Sequence, residues 1–96
     1  ASLPSLDAPS ALRHSRAGDL VLTGRALGAG NVTVVCWPDS GIATPGDVAA
    51  ITGNAAGNAI TIPAANLAPL RDSLYRLSLQ HGAHGFTPFV LLEFTP

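Results

Sequence analysis

Between residues 60 and 94 the chain alternates apolar and polar side chains in short runs closed by turn chemistry. Ile60-Thr61-Ile62 is the first run, and Pro63 breaks it. Leu74-Tyr75-Arg76-Leu77-Ser78-Leu79-Gln80 is the second, ended by the turn His81-Gly82-Ala83-His84-Gly85. Phe89-Val90-Leu91-Leu92-Glu93-Phe94 is the third, and it is apolar on both faces. Successive side chains of a strand point to opposite faces, so a period of two between Gly, Pro and Asn clusters predicts antiparallel sheet.

The first half continues the pattern. A strand is expected over residues 20–27 and another over residues 32–37, where β-branched density suits a central strand. Gly28-Ala29-Gly30-Asn31 offers positive-φ positions and reads as a short hairpin connection between them. Pro38-Asp39-Ser40-Gly41 ends the second strand, and Thr44-Pro45-Gly46-Asp47 follows as a turn or cap. Val48-Ala49-Ala50-Ile51 fits one helical turn or an edge strand equally well. Gly53-Asn54-Ala55-Ala56-Gly57-Asn58 reads as a flexible loop, and residues 64–71 have room for one helical turn.

The fold class that follows is all-β. It is a small antiparallel β-sandwich of Ig-like type over residues 16–96, preceded by an extended N-terminal arm, residues 1–15, with Pro4 and Pro9. Leu22, Val34, Ile62, Tyr75, Leu77, Leu79 and Leu91 are expected in the core. Arg76, Ser78 and Gln80 are expected to face out. A last strand apolar on both faces belongs either at the centre of a sandwich or against another chain.

Ninety-six residues suit one domain. Charged residues are 11% of the chain, against about 25% in an average globular protein, and there is no lysine. A soluble monomer keeps charge on its surface to stay apart from its neighbours. The scarcity fits either a small secreted or cytosolic domain with a Ser/Thr/Asn/Gly surface or a subunit covered by other subunits, and the second is the expectation here, as a homo-oligomer. A net charge of −1 leaves no basic field for nucleic acid or an anionic membrane. No run of 18 apolar residues exists to cross a bilayer as a helix. Residues 1–7 lack the charged start and apolar stretch of a signal peptide.

Little in the chain suggests catalysis. His81 and His84 are three apart, but zinc needs further ligands, and His14 and Cys36 lie in an arm and a strand. Cys36, the only cysteine, is expected to be a buried free thiol. Asp39-Ser40-Gly41 lacks the Gly-x-Ser-x-Gly pattern of a nucleophile turn. Asp7, Asp19, Asp39, Asp47, Asp72 and Glu93 are scattered singly, with no pair for acid/base work. No metal, cofactor or catalytic residue is expected. Partner contacts are expected from Arg13 and Arg16, which bracket His14; Trp37, the sole tryptophan, belongs either in the core or at a partner contact as an anchor.

Arg16-Ala17-Gly18-Asp19 leads into a strand, a Val-rich strand follows, and residues 67–79 end in Leu-Tyr-Arg-Leu-Ser-Leu. In these features residues 16–94 resemble small virion modules of tailed bacteriophages. The nearest pattern is the Ig-like N-terminal domain of the phage baseplate upper protein family, or a capsid decoration domain of similar fold. The resemblance implies a non-enzymatic structural subunit, located in the virion, with other virion or assembly subunits as partners. The chain departs from the baseplate pattern in lacking a following receptor-binding or linker region, which leaves a stand-alone decoration or tail subunit open as the expectation. The competing expectation is a secreted or cell-surface module that binds carbohydrate. A groove lined with several exposed aromatics would favour that second reading.

Overall fold

The computed structural model describes residues 3–39, 48–82 and 85–96. Among the described residues nine strands form in chain order: β1 (Ser5–Leu6), β2 (Arg13–Ser15), β3 (Leu20–Arg25), β4 (Ala29–Pro38), β5 (Ala49–Ala56), β6 (Ala59–Ile62), β7 (Leu74–His81), β8 (Gly85–Phe86) and β9 (Val90–Thr95). A single-turn 3-10 helix, Ala64–Leu67, lies between β6 and β7. The strands make one curled mixed sheet in the order β1-β3-β6-β5-β4-β7-β9-β2, with β8 added on β7. Every pair is antiparallel except β2 with β9.

The all-β expectation holds. The two separate layers of the expected sandwich are instead continuous in hydrogen bonding, because β4 and β5 pair over eight positions from Ala29–Ala56 to Cys36–Ala49. The curl wraps both halves of the sheet around one core. Leu20, Leu22, Ile51, Ile60 and Ile62 come from one half, and Val34, Leu77, Leu79, Leu92 and Phe94 from the other. Burying each of these side chains is worth about 1.5–3 kcal/mol.

Two readings of the middle of the chain are corrected. β3 and β4 do not form a hairpin with each other, because the β5–β6 hairpin inserts between them. The turn chemistry is present nonetheless, with Gly28 at φ 87° and Gly30 at φ 85°. The two turns clasp each other: the Leu27 amide donates to the Gly57 carbonyl, and the Gly57 amide donates to the Gly28 carbonyl. Residues 53–56 are strand rather than loop. The buried positions of β5 are Ile51, Gly53 and Ala55, so its inner face is mostly small. A Cβ on Gly53 would lie 2.7 Å from Ile60 Cγ2 and 2.9 Å from Ile62 Cγ1, so only glycine leaves room for those side chains.

Leu22, Val34, Ile62, Tyr75, Leu77 and Leu79 are buried as expected. Leu91 is not: Val90, Leu92 and Phe94 take the inner face of β9, and Leu91 is 43% exposed on the other. Ser78 is on the outer face but buried, because Thr87 covers it and accepts its hydroxyl proton at the backbone carbonyl. Tyr75 is buried edge-on to Phe94, and its hydroxyl accepts a hydrogen bond of 3.1 Å from the Arg71 amide.

The first fifteen residues were expected as an extended arm. Residues 3–15 hold two short strands with a bend at residues 10–12, and their backbone partners lie in this chain. β1 pairs with β3 at Ser5–Arg25 and Leu6–Gly24, and the Asp7 amide adds a bond to Thr23. The segment then crosses to the opposite edge of the curl. There β2 pairs in parallel with β9 at Arg13–Glu93, His14–Phe94 and Ser15–Thr95. N-terminal residues thus span the gap that a curled open sheet leaves between its two edges.

Candidate functional site

The outer face of β4, β7 and β9 gathers the side chains that the core leaves out. Trp37 sits opposite Arg76, and Arg76 opposite Leu91, so the three form one row across three strands. Phe86 and Phe89 flank this row, 45% and 54% exposed. The Trp37 and Phe86 rings meet edge-on with centroids 5.8 Å apart. The Arg76 guanidinium lies 5.0 Å above the Phe89 ring, while its Nε donates to Asp39 Oδ1 at 2.5 Å. Arg76 therefore covers an aromatic face with its cation and is oriented by a carboxylate.

Thr87 fixes the two phenylalanines. Its amide donates to the Leu79 carbonyl, and its Oγ1 accepts from the Leu79 amide, both at 3.0 Å. Ser78 Oγ donates to the Thr87 carbonyl. These bonds pin Thr87, and with it the short run from Gly85 to Phe89, against β7. Phe86 and Phe89 lie on either side of it, on the outer face.

Of the side chains expected to meet a partner, Trp37 is half-buried within this row. Arg13 lies on the margin of the same face, paired with Glu93 at 3.2 Å and largely exposed. Arg16 turns elsewhere. It donates to the Leu70 carbonyl and to Asp72, and its side chain is only 25% exposed. Its contacts tie the turn after β2 to the segment before β7. Phe86, Phe89, Leu91 and Arg76 were not singled out as site residues from the sequence. The signal for them was present in the doubly apolar last strand, whose second face needed a use.

A second concavity lies at the seam between β3 and β2. Its volume is about 320 Å³, with Leu20, Leu22 and Leu92 among its lining and Asp7, Asp19 and His14 around them. The polar groups are already engaged within the chain. Asp19 accepts from the Ala64 amide at 2.9 Å, Asp7 accepts from the Thr23 hydroxyl at 3.3 Å, and His14 Nε2 is 2.9 Å from the Gly18 carbonyl.

The described His and Cys side chains are engaged singly. Cys36 is fully buried, and burial pushes its thiol up to about 12. A thiol held neutral in this way is a poor nucleophile and metal ligand. The His81 ring packs against Gly85, where an added Cβ would lie 2.6 Å from it. His84, Ser40, Gly41 and Asp47 lie outside the described residues. Among the described residues no cluster of three His, Cys, Asp or Glu side chains forms, and no helix is long and apolar enough to cross a membrane. No family model matches this chain, and no curated protein matches it.

Proposed function

We propose that this chain is a non-enzymatic structural module of Ig-like topology, a subunit of a phage particle or related assembly, that binds its neighbours through the outer face of β4, β7 and β9. Strand order supports the topology. The run β1-β3-β6-β5 corresponds to strands A, B, E and D of an Ig-like fold, and β4-β7-β9 to C, F and G. The Tyr75 hydroxyl bonded to the backbone four residues upstream is similar to the tyrosine corner of such folds.

The observation that carries the interaction is the row of exposed apolar side chains at Phe86, Phe89 and Leu91 beside Trp37 and Arg76. Aromatic and arginine side chains dominate binding hot spots, and lysine is depleted there. The test is binding of the purified chain to the proteins of its assembly, with and without Phe89→Ser. A hot-spot loss of at least about 2 kcal/mol weakens attachment about thirtyfold. The same variant should keep its melting temperature, because Phe89 is half exposed. Unchanged attachment would remove this reading.

One observation favours the carbohydrate reading as the second. Three of the five aromatic residues, Trp37, Phe86 and Phe89, lie on one outer face rather than in the core. Asp39 and Arg76 stand beside them as polar groups able to meet sugar hydroxyls. Saturable glycan binding by calorimetry, lost in Trp37→Ala, together with no affinity for any assembly protein, would put this reading first.

A further inference from the structure

Residues 3–15 hold the seam of the curl with few contacts. β1 contributes two paired positions and β2 three. None of residues 3–15 is buried, and Leu6, the apolar side chain that packs on the core, is only half-buried. Leu3 and Leu12 are 79% and 77% exposed. At the two ends of the crossing the Asp7 amide donates to the Thr23 carbonyl and the Leu12 carbonyl accepts from the Glu93 amide, while residues 8–11 between them join no ladder, so Leu20–Leu22 of β3 have ladder partners on the β6 side alone. A segment with few buried apolar contacts and few ladder bonds opens at low free energy while the rest of the fold stays closed.

Opening it leaves two unfinished edges, β3 and β9, backed by Leu20, Leu22 and Leu92. An unpaired edge backed by apolar side chains recruits another strand. The segment whose sequence fits both edges is residues 3–15, which make these contacts in their own chain. The same contacts form without change when the segment comes from a second copy. The turn at Arg16–Asp19 is the point of departure. Arg16 is anchored to Leu70 and Asp72, and Gly18 has nothing within 4 Å of an added Cβ. A net charge of −1 sets little repulsion between copies.

We infer that residues 3–15 are an exchangeable strap: the segment of one copy closes the β3 and β9 edges of another, and so links copies of this chain. The partner is a second copy, and the inference stands whatever the aromatic face binds.

The test uses the full chain with Ser5→Cys and Arg25→Cys. These positions are ladder partners, and antiparallel partners lie within disulfide reach. Cys36 is fully buried with its thiol pushed up to about 12, so it does not compete. Oxidation after equilibration should give interchain dimers as well as the intrachain link. The interchain to intrachain ratio should rise about tenfold for each tenfold rise in concentration, as mass action requires. Two differently tagged populations mixed before oxidation should yield mixed dimers. Intrachain product alone at every concentration would overturn the inference. So would equal dimer yield from Ser5→Cys alone, which marks random collision. Adding Phe89→Ser separates the two surfaces. Retained dimers support the strap, and their loss assigns the linkage to the aromatic face and overturns the strap.

Discussion

The centre of the sheet and its seam are built from the same backbone interactions in very different amounts. β4 has eight paired positions with β5 and six with β7, and its inward Val34 and Cys36 are fully buried. At the seam, β1 and β2 have two and three paired positions, and no side chain of residues 3–15 is buried. The difference separates two functions of a strand. β4 joins the halves of the fold and shares in its global stability. β1 and β2 only finish the edges, so their opening is a local event.

The sharpest way to break this contrast is a cavity at the centre. Leu77 is fully exposed to the core and not to solvent, and it pairs with both Cys36 and Val90. Leu77→Ala should cost about 2–5 kcal/mol in urea denaturation, with one transition for every probe. A loss below about 1 kcal/mol would mean that the centre is not packed as a unit.

A smaller effect comes from Cys36. Its thiol ionises at its ordinary 9.0 when unfolded and near 12 when folded, because burial disfavours the thiolate. Between these values the folded chain keeps a proton that the unfolded chain has released. Its share of stability is therefore intact below about pH 9 and declines as pH rises towards about 12. Melting curves between pH 8 and 11 should show this decline, and Cys36→Val should flatten it. An equal slope in both proteins would mean that the fold does not hold the thiol away from water.

The smallest global effect belongs to Gly24→Ala. The added Cβ would lie 2.1 Å from the Ser5 carbonyl, so β1 must move away. The Asp7 amide, which donates to Thr23, should lose hydrogen-exchange protection, while the melting temperature changes little. A large drop in melting temperature would show that the seam carries global stability, and the contrast would fail.

How much of this was legible in the sequence depends on where each strand keeps its apolar atoms. β3, β4, β6, β7 and β9 were readable because Leu, Val, Ile and Tyr mark their buried faces. β5 was not, because Gly53 and Ala55 occupy inward positions where larger side chains usually signal a strand. Its glycine answers Ile60 and Ile62 on the next strand, a requirement that no local window contains. The β3–β4 turn had the right residues, yet pairing was decided by the β5–β6 hairpin between them. The site divides in the same way. Trp37 stood out by type. Its company, Arg76 and Leu91, follows from the register of β4, β7 and β9, and Phe86 and Phe89 are placed by Thr87.

The parallel pairing of β2 with β9 also sets how the molecule meets a pull. Tension applied to the two ends of the chain draws β2 back from its Arg13 end and β9 forward from its Thr95 end. The two strands would slide lengthwise past each other, and the bonds of the pair would have to fail together. Antiparallel neighbours peeled from one end lose theirs singly. A contact that loosens easily at rest thereby resists load along one axis.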